Sequence, residues 1–103
     1  MKKYRLLMHG RNFLLNRDGE IARYGFYQNF FLESPDLNQA KRLVTSRIRL
    51  DKKLTEQTLN KVNDPPRINL ETYWELDSFD YVGNHLNTDR TLYKEKKWWQ
   101  FWK

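Results

Sequence analysis

A two-layer α+β sandwich is the fold class this sequence predicts, a three- to four-stranded antiparallel sheet covered by one main helix. Three observations predict it. Two stretches alternate with period two on either side of Asp18-Gly19, a dipeptide that tolerates the positive φ of a tight hairpin turn. One amphipathic stretch with helical spacing follows Ser34-Pro35-Asp36. A further alternating stretch, Ile68 to Leu76, follows the breaker Asp64-Pro65-Pro66. The expected order is β-β-α-β, with residues 88–93 open to a last edge strand.

Tyr4, Leu6 and Met8 share one face of the first strand, and Arg5, Leu7 and His9 the other. Gly10 marks a bulge or bend before a second extended piece, Asn12 to Asn16. In the second strand Ala22, Tyr24, Phe26, Phe30 and Leu32 line up, interrupted by Gln28. Ser34 is the expected N-cap of the helix, with Pro35 at its first position and Asp36 at the positive end of its dipole. Leu37, Ala40, Leu43, Val44 and Ile48 form its apolar stripe, which extends the helix from Pro35 to about Leu50. Leu54 to Val62 reads either as a second short helix or as an irregular excursion. In the third strand, strict alternation puts Ile68, Leu70, Thr72, Trp74 and Leu76 on the buried face, and Arg67, Asn69, Glu71, Tyr73 and Glu75 on the wet one. Asp77 to Asn87 reads as a loop. Part of a ferredoxin-like fold is one arrangement of these elements.

A chain of 103 residues suits one domain, here 1–93, followed by a basic Trp-rich tail, 94–103. Aromatic residues make up 16% of it, enough to build a core from few side chains. The absence of cysteine excludes disulfides, thiolate metal sites and cysteine nucleophiles. The opening Met1-Lys2-Lys3 is basic like a signal peptide, but the apolar run that follows stops at His9, too short for one. No stretch approaches the roughly 20 apolar residues of a membrane span, so a cytoplasmic location is expected. The formal charge is +6 and unevenly spread: +7 over residues 1–62, −5 over 63–89 and +4 over 90–103. Such segregation favours anionic partners or pairing with copies of the chain.

The pattern of Tyr4-Arg5-Leu6-Leu7, Gly10, Asn12-Phe13-Leu14-Leu15, Asp18-Gly19, Gly25-Phe26-Tyr27 and Asp64-Pro65-Pro66, with the strand after it, spans residues 4–80. In this it resembles a group of small uncharacterised bacterial α+β proteins. The resemblance implies a bacterial, cytoplasmic, compact domain, and brings no activity, substrate or catalytic residue with it.

The chemistry-bearing residues are sparse. His9 and His85 have no Cys, Asp or Glu at metal-ligand spacing, so no metal is expected. Ser34 reads as a cap, Ser46 as helix surface and Ser78 as loop, none of them in a nucleophile-elbow context. Glu71 and Glu75 share a strand face, where carboxylates are solubilising charges before they are an acid–base pair. Four dispersed glycines make no phosphate cradle. No catalytic residue, cofactor or small-molecule substrate is therefore expected, and the chain reads as a non-catalytic binding domain.

Three kinds of partner fit. The first is a protein partner, including a second copy, drawn by the segregated charge. The second is single-stranded nucleic acid on a basic, aromatic sheet face: Arg5, Arg23 and Tyr27 lead it, with His9, Asn29 and Phe31 beside them, although no RNP-like run is present. The third is an anionic membrane surface, met by Trp98, Trp99, Phe101 and Trp102 among the lysines of the tail. Packing of that tail on its own sheet, or on another copy of the chain, is the reading favoured over membrane contact.

Overall fold

The computed structural model describes residues 1–78 and 90–95. The order of elements is β1 (Lys2–Arg17), β2 (Glu20–Ser34), α1 (Leu37–Arg49), α2 (Lys52–Gln57), β3 (Arg67–Leu76) and β4 (Thr91–Lys94). The fold is α+β, as the residue patterns predict: a four-stranded antiparallel sheet with α1 packed on one face.

The long hairpin β1–β2 is the centre of the molecule, because Asp18 and Gly19 (φ 54° and 88°) form a two-residue turn closed by the Arg17–Glu20 pair. The Asn16 side chain accepts the Gly19 N–H at 3.0 Å and holds the turn. The later strands then add outside the hairpin, giving the order β3-β1-β2-β4. Direct pairing of the first two strands through a tight turn is not the split arrangement of a ferredoxin-like fold.

Gly10 does precede a bulge. Gly10 pairs with Phe26 and Phe13 with Tyr24, so β1 carries one residue more than β2 between those pairs. Asn12 takes the left-handed conformation there (φ 60°). The extra residue switches parity, so even-numbered Tyr4, Leu6 and Met8 and odd-numbered Phe13 and Leu15 all reach the same core. Opposite Gly10 the Phe26 ring lies so close that a Cβ would overlap it.

The third strand departs from strict alternation. Its register against β1 shifts between Leu7 and Met8, opposite Thr72 and Leu70, and the bulge exchanges the two faces. Ile68 and Leu70 pack against the core as expected, but Tyr73 pairs with Leu6 and meets Tyr4 edge-on at 6.4 Å on the helix side. Thr72 and Trp74 therefore stand on the opposite, open face. Glu71 and Glu75 do not share a face: Glu71 points to His9, whereas Glu75 pairs with Tyr4.

The helix also starts later than the sequence suggests. Asp36, not Ser34, is its N-cap: Asp36 is extended (φ −153°) and its carboxylate accepts the Gln39 N–H at 2.8 Å. Ser34 remains the last, buried residue of β2, and its hydroxyl donates to the Asp36 carbonyl. Ala40, Val44 and Ile48 are the buried stripe, while Leu43 is displaced to the exposed flank. Leu54 to Val62 divides between the two readings: Asp51 caps the short α2, and an irregular excursion follows, bridged to β1 at Leu15–Thr58. The expected edge strand is β4, which extends to Lys94, with the Glu95 N–H donating to the Arg23 carbonyl. The Asp77–Asn87 loop beyond Ser78 falls outside the described residues.

Candidate functional site

One face of the sheet carries α1. The other presents side chains in rows that cross the strands, since register places residues of neighbouring strands side by side. The first row is Trp74, Arg5 and Phe31, and the second is Thr72, Leu7 and Asn29. The third is Asn69, His9, Tyr27 and Thr91, with Glu71 entering it at the bulge, and beyond it lie Arg67, Arg11 and, opposite Gly25, Tyr93.

The first row is a cationic sandwich. The Arg5 guanidinium lies 4.4 Å from the Trp74 ring centroid and 5.9 Å from that of Phe31. Its Nε donates to the Asn29 side-chain oxygen at 3.1 Å, which fixes the plane of the fork. Trp74 remains 42% exposed, so half of this anchor faces outward.

The third row is a stack. His9 and Tyr27 lie parallel, 4.3 Å between centroids and 8° between planes, because they are directly opposed on β1 and β2. Tyr93 closes the far side: its hydroxyl is 2.6 Å from His9 Nε2, and its ring lies across Gly25, where a Cβ would overlap it. Burial first, then the neighbouring Tyr27 and Glu95, push the Tyr93 hydroxyl above its ordinary range. The other ring nitrogen of His9, Nδ1, faces the Glu71 carboxylate 3.6 Å away, so the imidazole is held between a hydroxyl and a carboxylate.

Beyond this stack, on the side away from the Arg5 row, a polar network anchors the β1 bulge. Asn12 donates through Nδ2 to the Asp64 carboxylate (2.8 Å) and to the Pro65 carbonyl (3.2 Å), and its backbone N–H donates to Glu95. Its side-chain oxygen accepts from Arg23, which also pairs with Asp64 at 3.0 Å. Asn60 completes the network by donating to the Asn12 and Asp64 carbonyls and accepting the Leu14 N–H. The Asn12 hydrogen bond, then Arg23, hold the Asp64 carboxyl below the usual carboxylate range. A cleft of about 450 Å³ opens beside this network, with Arg11 and Arg67 among its walls.

Of the residues the sequence singles out, Arg5 and Tyr27 stand on the open face as expected, each inside a ring stack. Arg23 shares the face but belongs to the separate Asn12–Asp64 network. Trp98, Trp99, Phe101 and Trp102 lie outside the described residues. Sequence reasoning missed Trp74, which alternation assigned to the core, and Glu71 and Tyr93, which stand beside His9 only through strand pairing. Gly25 held a signal for Tyr93, because a strand glycine often marks close approach of another group. Among the described residues, no group of three His, Cys, Asp or Glu side chains is placed to hold a metal. No helix among them is long and apolar enough to cross a membrane.

The fold and this face define a two-layer α+β domain with one uncovered, ring-bearing side among its described residues. Comparison of the chain with protein-family models, curated proteins and solved structures gave no match.

Proposed function

We propose that this is a bacterial, cytoplasmic, non-catalytic interaction domain that docks a protein partner on the open sheet face. The observation that carries the reading is Arg5 held between Trp74 and Phe31. Tryptophan, tyrosine and arginine are the residues that dominate protein–protein binding energy, and they do so when held rigid near the centre of a patch. Leu7, Asn29 and Thr72 separate this anchor from the Tyr27–His9 stack, so apolar area and hydrogen-bonding groups alternate as they do in interfaces.

A protein fits this face better than a single-stranded nucleic acid. Tyr27 and His9 already stack on each other, and Arg5 already stacks on both its aromatic neighbours. Arg23 is committed to Asp64, and the Glu71 carboxylate stands on the same face, where it would repel a phosphate backbone.

Site-specific photocrosslinking tests the proposal. A benzophenone side chain replaces Phe31 in one form of the full chain and the exposed Thr55, on the helix layer, in another, and both are expressed in a bacterial host. A discrete, protease-sensitive and nuclease-resistant adduct from position 31, weakened by Trp74→Ala, is expected. A nuclease-sensitive adduct would place nucleic acid on this face. The same adducts from both positions would remove the face from consideration.

A further inference from the structure

The helix layer carries a second surface, on the side of the molecule opposite the rings. Lys41, Arg42, Arg47, Arg49, Lys52 and Lys53 are all exposed, and none of them makes an ion pair among the described residues. The acidic side chains of the same segment offset only part of this charge, and two of them are tied to the helix ends. Asp36 is occupied in capping α1, Asp51 caps α2 and holds Arg90 at 2.6 Å, and only Glu56 remains. Repulsion among six neighbouring cations is unfavourable to the fold, and an external polyanion relieves it.

Two leucines stand in the same surface. Leu43 is 45% exposed and Leu50, at the helix C-cap, is 81% exposed. Seven residues apart, they lie two turns from each other on one side of the helix, beside Arg42 and Arg49 at the same spacing. A shallow groove of about 640 Å³ runs along the adjoining flank, between Lys41, Arg42, Thr45 and Arg49. The stripe that normally buries itself on a sheet is already used, since Ala40, Val44 and Ile48 are in the core. The two leucines are therefore additional to what folding requires.

We propose that this outer face of α1 is a docking surface for an anionic lipid bilayer, with the cations on the headgroup phosphates and Leu43 and Leu50 entering the acyl boundary. Clustered Lys and Arg are drawn to the negative surface of an anionic leaflet, and exposed leucines beside them add apolar area that gains by entering the headgroup–acyl boundary. A duplex nucleic acid would engage the same cations but give the leucines nothing to enter. Because the helix stays packed on its sheet, the contact is peripheral, and the ring-bearing face remains directed away from the membrane. The inference stands independently of the partner proposed for that face.

Flotation of the full chain with phosphatidylglycerol–phosphatidylcholine vesicles, and with phosphatidylcholine alone, provides the test. Two double variants are compared with the wild type, Arg42→Glu with Arg49→Glu and Leu43→Ser with Leu50→Ser. All four positions are exposed, and circular dichroism verifies the fold. Binding restricted to anionic vesicles is expected, about tenfold or more weaker in the charge variant and several-fold weaker in the leucine variant. Vesicle binding unchanged in both variants would place the contact elsewhere on the chain, the Trp-rich tail included, and overturn the assignment. An unaffected leucine variant, with duplex DNA displacing the vesicles, would overturn it in favour of a nucleic acid.

Discussion

The imidazole of His9 and the phenol ring of Tyr27 lie parallel with 4.3 Å between their centroids, and the Tyr93 hydroxyl reaches His9 Nε2 at 2.6 Å. Three strands thereby meet in one polar–aromatic cluster. It forms because β1 and β2 oppose those two residues in register, and because Gly25 leaves room for the ring from β4.

The cluster predicts an alkaline signature. Tyr93 has a folded pKa raised above 10.0, so its stabilising effect is complete below the unfolded value and is lost as pH rises through the folded one. Tyr93→Phe is expected to flatten this part of the alkaline decline in stability. Urea unfolding at pH values on both sides of that range measures it, and equal slopes for the two proteins would count against the burial of the hydroxyl.

Asp51 makes the opposite prediction at acid pH. The Leu54 N–H and then Arg90 lower its pKa below 3.8, against a partial opposing effect of burial. Its contribution is present above the unfolded value and lost as pH falls through the folded one. Asp51→Asn is expected to cost about 1 kcal/mol at neutral pH and to reduce the acid decline. Chemical unfolding at neutral and acid pH compares the two.

Gly10→Ala is expected to destabilise the fold by about 1–3 kcal/mol, because the added methyl overlaps the fully buried Phe26 ring, which must shift to admit it. Equilibrium urea unfolding gives the value. A neutral result would show that the ring can move away from the strand.

Asn12 separates two costs at one position. Asn12→Ala removes its side-chain hydrogen bonds and leaves a Cβ at φ 60°, whereas Asn12→Gly removes the same bonds but is comfortable there. The glycine variant is expected to be about 1 kcal/mol the more stable of the two in thermal unfolding. The reverse order would mean that the bulge relaxes when its hydrogen bonds are lost.

Much of the fold was legible along the chain. Asp18-Gly19 set the hairpin, because few dipeptides accept two successive positive φ angles, and the stripe through Ala40, Val44 and Ile48 set the helix that covers it. The irregularity in β1 was legible too, with Gly10 to mark a bulge or bend, but the change of parity it brings was decided by the pairing with β2. The bulge in β3 was not. Trp74 and Leu76 continue the alternation of Ile68 and Leu70 without a break, since both faces of that strand accept apolar groups, so nothing local marks the switch. The candidate site divides the same way. Arg5, Tyr27 and His9 were placed on one face by period two alone. Only strand pairing decided that Trp74 joins Arg5 and that Glu71 and Tyr93 join His9, because register relates residues more than sixty positions apart and is set by hydrogen bonds between strands. By itself, then, the sequence determined the elements, the basic charge and the two faces of the hairpin. Which side chains meet across those faces was decided by the tertiary structure, through bulges that cost one residue each and invert everything beyond them.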